Sequence, residues 1–272
     1  MSTAADQSAH DVARLFTIPR EQARQLVKLI LENLFQIQTA GLENIPLEGG
    51  GLLVCNHTDY LDVLVQGVFS PRKVIFLGKN ELFEPDQEIK DFLYQSGSPL
   101  NLPVLAMLRP LINQAIEAYG FAQKTQLLEW GGHPVIRNYR GSNAKAAVEY
   151  YQDLEDYMVS LLEEGKFLSI FPEGTRGEQH AGLQPFKSLA AKIALRARVP
   201  IIPAAIAGAH NFTSLGAFLT GDVFRRQVQF RVGTAIAPAD FPKETDLKKG
   251  AKELTRQMQK QVQEMLNAMS TT

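Results

Sequence analysis

GLLVCNHTDYLDVLVQGVF, residues 51–69, passes from one apolar run to another through a single polar hinge, NHTDYLD. GLLVC reads as a buried strand, and YLDVLVQGVF as the helix after it. Within the hinge, His57 stands five positions ahead of Asp62. On one continuous helix five residues turn the chain through roughly 500°, which leaves the two side chains about 140° apart and rules out a shared helical face. They meet only where the chain changes conformation between them, with His57 in the turn leaving the strand and Asp62 in the first turn of the helix. Two readings fit that placement. In one, Thr58 or Asp59 is the N-cap and Asp62 is an N3 carboxylate favoured by the helix dipole, with no chemistry involved. In the other, Asp62 orients the His57 imidazole and stabilises its charged form, as in a general base. A cap does not ask for a histidine, so the choice rests with the rest of the chain.

The whole chain sets outer bounds. Its 272 residues, 45% hydrophobic and 21% charged, have ordinary globular composition and allow a substantial core. Lys and Arg total 28 against 29 for Asp and Glu, so no global basic field favours nucleic acid, and any anion site must be local. The single cysteine, Cys55, excludes an internal disulfide framework and a cysteine-based zinc site; it fits a reducing compartment and reads as a packing residue. The start, MSTAADQSAHDVARLF, lacks the basic and apolar regions of a secretory signal, and no run approaches the ~18–20 apolar residues that cross a bilayer. The expectation is a cytoplasmic protein that does not span a membrane.

Along the chain, residues 21–38 place Ala23, Leu26, Val27, Ile30, Leu31, Leu34 and Ile37 on one helical face, opposite Gln25, Lys28, Glu32 and Gln36. That amphipathic helix either packs on the domain or lies on a bilayer surface. A strand is expected over 73–78. Residues 80–131 are apolar but broken by Pro99, Pro103 and Pro110, which predicts short kinked helices that cap the core or cover an apolar tunnel. HPVIR, KFLSIFP and VPIIPAAIAG then read as strands, with helices over 143–164 and 186–198. Leu247, Ala251, Leu254, Met258, Val262, Leu266 and Met269 recur at helical spacing near the C-terminus. Strands that are continuously apolar and alternate with helices predict an α/β fold with a largely parallel central sheet. The expected partition is a helical extension over 1–40, a main domain over 41–240 and a C-terminal helix over 241–272. The basic pairs Arg72 with Lys73, Arg225 with Arg226 and Lys248 with Lys249 read as solvated surface.

Sites on parallel α/β sheets gather at the C-terminal ends of strands, which brings the residues after KFLSI near those after GLLVC. Directly after KFLSI comes FPEGTR, residues 171–176. A proline, an acid, a glycine, a hydroxyl and an arginine in one turn combine tight backbone geometry with an anion-binding guanidinium. A surface turn with Glu173 paired to Arg176 is the plain alternative. No G-x-S-x-G nucleophile elbow occurs, since FTSLG has Phe212 where glycine belongs. EGGGLL precedes its strand, the wrong side for a phosphate loop.

With these segments in view, the chain closely resembles the lysophosphatidic acid acyltransferase family of glycerophospholipid acyltransferases. Four stretches carry the resemblance in family order: Asn56, His57 and Asp62; GKNELFEP with GGHPVIR, where Arg137 matches the family arginine; FPEGTR; and VPIIPAAI around Pro200 and Pro203. The resemblance spans about residues 41–210. The chain departs from the pattern at Asp59, where serine is usual, and at Ser188, where glycine is common.

The resemblance implies transfer of an acyl group from a thioester to the hydroxyl of lysophosphatidic acid, giving phosphatidic acid. The alternatives are acylation of glycerol 3-phosphate or another lysophospholipid, and a non-catalytic lipid-binding homologue. His57 would be the general base and Asp62 its orienting carboxylate. Backbone N–H groups around Glu173 and Gly174, or at the helix start after His57, would receive the oxyanion. Arg176 and Arg137, with Thr175 and Lys187, would hold the acceptor's phosphate, Arg140 being second choice to Arg137. No metal or other cofactor is implied: His57 and Asp62 are two ligands only, and His10, His133, His180 and His210 fit no ligand spacing. The expected partners are an acyl-CoA or acyl carrier protein donor, a lysophospholipid acceptor and a membrane surface, with no nucleic acid. The implied location is cytoplasmic and peripherally membrane-associated.

Overall fold

The computed structural model describes residues 18–98, 107–136, 139–141, 143–177, 182–210, 216, 219–241 and 246–270. The first elements are α1 (Arg20–Leu34), β1 (Gln36–Ala40), β2 (Gly51–Cys55), α2 (Leu61–Phe69) and β3 (Ile75–Lys79). Next come α3 (Pro85–Leu93), α4 (Arg109–Glu129), β4 (Gly132–Val135), α5 (Ala144–Glu163) and β5 (Phe167–Ile170). The chain ends with α6 (Leu189–Ala197), β6 (Ile201–Ala207), β7 (Gln227–Val232) and α7 (Leu247–Ser270). They form two compact units, Arg24–Phe76 with Arg140–Thr272 and Met1–Ala23 with Leu77–Tyr139.

The seven strands lie in the order β1-β7-β6-β2-β5-β3-β4. β2 pairs in parallel with both β5 and β6, β3 with β5, and β1 with β7; β6 and β7 are antiparallel. The sheet is therefore mostly parallel, as the alternating pattern predicts. All five residues of β2 are buried, which is why the strand reads as an unbroken apolar run. Leu61, Val65, Val68 and Phe69 of α2 join Leu53, Cys55, Phe167, Ile202 and Phe230 in one core cluster. α6 packs against β2, and α7 packs against α6 and β6, burying Ala251, Leu254, Met258 and Val262.

The helix expected over 21–38 ends at Leu34, because QIQTA pairs as an edge strand with β7, Ile37 opposite Val228. Its exposure alternates with period two, a pattern that a helical reading of the preceding residues overran. On α1, Ala23 and Leu31 are buried, whereas Leu26 and Ile30, placed on the same face by periodicity, are exposed together with Leu29. Among the described residues of 80–131 stand a 3-10 turn (Asn80–Leu82), the nine-residue α3 and the 21-residue α4. Pro110 falls in the first turn of α4, where a missing N–H costs nothing, and the helix continues unbroken for 21 residues. Pro99 and Pro103 lie outside the described residues. α3 and α4 approach closely where a Cβ on Gly120 would stand 3.2 Å from the Asp86 Cβ, and Lys90 bonds Glu117 at 2.8 Å.

Arg72 is not solvated surface. Its guanidinium donates to the carbonyls of Pro46, Gly49 and Gly165 at 3.0, 2.8 and 2.8 Å and lies 5.3 Å from the centre of the Phe167 ring. These bonds tie the loops that enter β2 and β5 into one structure, and burial lowers the guanidinium's pKa from its ordinary value. Arg226 likewise bonds the His210 carbonyl at 2.5 Å. Arg72→Ala strands three carbonyls, so urea unfolding should show a loss of about 2–3 kcal/mol. Arg72→Lys should recover only a minor part of it, because an ammonium lacks the planar fork.

Candidate active site

β2 and β5 are parallel neighbours, with Val54 opposite Ile170, so the loops leaving their C-terminal ends start side by side. Asn56 fixes where the first loop departs. Its buried side chain accepts from the N–H of Ile206 at 2.8 Å and donates to the carbonyl of the same residue at 2.9 Å, replacing one rung of strand pairing with β6. The chain can then leave the sheet at His57.

Neither Thr58 nor Asp59 is the N-cap of α2, and Asp62 stands at its second helical position rather than its third. Tyr60 occupies the N-cap position of α2 and makes no side-chain cap bond. Asp62, in the first turn and fully buried, reaches back instead. Its Oδ2 accepts from the N–H groups of Thr58 and Asp59 and contacts His57 Nδ1 at 2.9 Å, while Oδ1 accepts from the Thr58 hydroxyl at 2.8 Å. A carboxylate only accepts, so the Nδ1 position carries the imidazole hydrogen and Nε2 is left as the basic nitrogen. Nε2 makes no bond to a described residue. One turn further along α2, Gln66 takes the Ser169 hydroxyl of β5 at 2.6 Å and helps dock the helix.

The FPEGTR turn grips His57 from the other strand. The His57 N–H donates to Glu173 Oε1 at 2.8 Å, and the His57 carbonyl accepts from the Gly177 N–H at 2.8 Å. The Phe171 ring stacks on the imidazole with 4.1 Å between centres and 18° between planes. Glu173 is buried, and its Oε2 accepts from the Gln184 N–H at 2.9 Å. Burial pushes its carboxyl above the ordinary glutamate value, against the downward pull of the two N–H bonds and of nearby His57. Both oxygens thus face backbone donors. Glu173 does not pair with Arg176.

The backbone donors of the two loops are largely committed. His57 bonds Glu173, Thr58 and Asp59 bond Asp62, and the Gly174 N–H closes the turn onto the Phe171 carbonyl at 3.0 Å. The N–H groups of Thr175 and Arg176 make no bond to a described residue. Gly174 has φ +76°, and a Cβ there would meet the Lys187 ammonium at 2.5 Å, so the lysine side chain runs across the turn. Lys187, Thr175 and Arg176 are exposed, and neither cation has an ion-pair partner among the described residues. The Arg176 guanidinium lies over the Tyr60 ring, 4.4 Å from its centre. Arg137 lies outside the described residues, and Arg140 is exposed. Among the described residues no cluster of His, Cys, Asp or Glu is arranged to hold a metal. Cys55 is fully buried, and burial, then Asp62 and Glu173, drive its thiol well above its ordinary pKa, which suits a packing role.

The site therefore joins an oriented imidazole to a turn with exposed cations at the C-terminal edge of a parallel sheet. Such a site can take a proton and receive an anion. The acyltransferase family profile matches residues 36–98 and 105–207, more than half of the chain. The chain belongs to the acyltransferase family, and it is an O-acyltransferase. It is 26% identical over 217 residues to the 1-acyl-sn-glycerol-3-phosphate acyltransferase of Bacillus subtilis, covering 79% of this chain and 81% of that one. It is 27% identical over 175 residues to a putative 1-acyl-sn-glycerol-3-phosphate acyltransferase of Caenorhabditis elegans, covering 64% of this chain and 46% of the relative. The fold matches the crystal structure of the lysophosphatidic acid acyltransferase PlsC of Thermotoga maritima with a TM-score of 0.54 and 18% identity, over 98% of this chain and 88% of that one.

Gln184, which completes the bonding of Glu173, carried no sequence signal; it comes after residues 178–181 with no motif of its own. Glu173→Gln tests the role of the acid. The amide keeps one acceptor but turns an N–H₂ toward a backbone N–H. Urea unfolding should show a loss of about 1–3 kcal/mol together with a fall in kcat. Unchanged stability with lost activity would instead place Glu173 on the substrate.

Proposed function

We propose that the enzyme transfers a fatty acyl group from an acyl thioester to the free hydroxyl of lysophosphatidic acid, giving phosphatidic acid. One observation carries this reading: the His57–Asp62 pair is hydrogen-bonded, through Glu173, to the turn that presents Arg176. The names of the Bacillus and Caenorhabditis relatives support the choice of acceptor. His57 Nε2 takes the proton of the acceptor hydroxyl as its oxygen attacks the thioester carbonyl. The tetrahedral oxyanion falls to the N–H groups of Thr175 and Arg176, the donors that the turn leaves uncommitted. As the C–S bond breaks, the imidazolium returns the proton to the leaving thiolate. Asp62 stabilises the imidazolium between these transfers. Arg176 and Lys187 take the acceptor's phosphate, because a guanidinium fork matches two phosphate oxygens.

Thiol release by the purified protein, with lysophosphatidic acid, glycerol 3-phosphate and monoacylglycerol against acyl-CoA and acyl carrier protein donors, tests this. Lysophosphatidic acid should be the best acceptor and monoacylglycerol a poor one. His57→Ala should cost at least ~10² in kcat while leaving the fold intact. Turnover of a folded His57→Ala protein within threefold of wild type would remove His57 as the base.

The same reading makes this a peripheral membrane enzyme. No described helix is long and apolar enough to cross a bilayer. Exposed apolar side chains nevertheless gather in two places: Leu26, Leu29 and Ile30 on α1, and Phe92, Met107, Leu108 and Leu111 where α3 ends and α4 begins. The second group is held together by the Tyr94 hydroxyl bonding Asn113 at 2.7 Å and by Arg109 over the Tyr94 ring. Apolar exposure of this kind fits the headgroup boundary of a bilayer. The protein should float with anionic vesicles at low salt. Leu26→Glu with Ile30→Glu, and separately Phe92→Ser with Leu111→Ser, should each weaken flotation. A wild type that stays wholly with the soluble fraction would end the membrane reading.

A further inference from the structure

Tyr60 stands between the two members of the dyad, yet its side chain is 50% exposed, so burial does not explain an aromatic there. Its backbone is fixed on both sides. Its N–H donates to Asp59 Oδ1 at 2.6 Å, its carbonyl accepts from Val63, and Leu61 beside it is buried. The ring of this pinned residue carries the Arg176 guanidinium on its face, 4.4 Å away. That contact bridges the first loop and the FPEGTR turn on the exposed side, as the Glu173–His57 bond does on the buried side.

Aromatic support differs from carboxylate support in one respect that matters here. A carboxylate that holds an arginine occupies the N–H fork that would otherwise take the ligand. A ring holds the guanidinium by its face and leaves the N–H edge open for bidentate bonds to an anion. An arginine side chain free in water also gives up rotamer freedom on binding, and prior stacking removes part of that loss. We infer that Tyr60 is a positioning residue for the acceptor's phosphate: its ring presets Arg176 and so raises selectivity for phosphate-bearing acceptors. This rests on the reading of Arg176 as the phosphate-binding group, and the experiment separates the two.

The measurement is thiol release with lysophosphatidic acid and with monoacylglycerol at a fixed donor concentration, for Tyr60→Leu, Tyr60→Phe, Arg176→Ala and the Tyr60→Leu, Arg176→Ala double variant. Tyr60→Leu should raise KM for lysophosphatidic acid about 3- to 10-fold with kcat within twofold of wild type, the size expected of one cation–π contact. Tyr60→Phe keeps the ring and should stay within twofold on both parameters. Neither change should alter the monoacylglycerol rate, which also reports that the catalytic fold is intact. In the Arg176→Ala background, Tyr60→Leu should add nothing. A full Tyr60→Leu loss in that background, an equal loss on both acceptors, or a Tyr60→Phe as impaired as Tyr60→Leu would each overturn the inference while leaving the phosphate role of Arg176 standing. An Arg176→Ala that penalises both acceptors equally would overturn the phosphate reading itself, and the inference with it.

Discussion

A buried carboxylate with its acceptor capacity filled from one short loop governs this site. Asp62 takes hydrogen bonds from two backbone N–H groups, one hydroxyl and one imidazole, all within five residues of itself, and is shielded completely from water. Removing a charge from water is costly unless such bonds replace hydration. The loop supplies them by curling around the carboxylate, and the curl is what carries His57 from the end of β2 to the start of α2. The conformation of the loop and the tautomer of the base are thus two consequences of one charge.

The second constraint comes from the neighbouring strand. Asp62 holds the imidazole by its edge, and Phe171 covers its face, but neither fixes the backbone that carries it. Glu173 and Gly177 bond the N–H and the carbonyl of His57 directly. Parallel pairing of β2 with β5 sets the distance over which this works, since both loops begin at the same level of the sheet. Arg72 does the corresponding work at the opposite ends of those strands, where it binds carbonyls of the loops that lead into each. A site built between two strand ends needs both ends held, because a slip of one strand would move His57 away from its supports.

The legibility of the sequence obeys the same physics. The central strands are buried on both faces and so read as continuous apolar runs, which revealed GLLVC, KFLSI and IIPAAIA and the parallel sheet with them. The edge strand QIQTA and its neighbour QVQFRV carry glutamines at alternate positions, and in QIQTA this period-two signal is too short and too polar to outweigh the helical pattern before it. Residues 80–131 misled for another reason: α4 is apolar around much of its circumference while burying only Ile116 and Gly120, so it has no clear inward face to read. Within the site, the dyad and the turn were legible as spacing. Their joining was not, because Glu173 acts on backbone groups, which leave no residue type to recognise. The same holds for Arg72, whose partners are three carbonyls.

That preference of the buried acids for backbone partners has an electrostatic consequence for the exposed face. Asp62 and Glu173 are saturated by N–H, hydroxyl and imidazole donors and withdrawn from solvent, so neither pairs with Arg176. Arg176 and Lys187 remain at the surface without an ion-pair partner among the described residues. Tyr60 then holds the guanidinium without taking up its donors. The site separates its charges by depth, with anions below organising the base and cations above left to an anionic ligand. A sequence with nearly equal numbers of acids and bases overall can bind a phosphate in this way, because the local arrangement, and not the net charge, determines which charges are available.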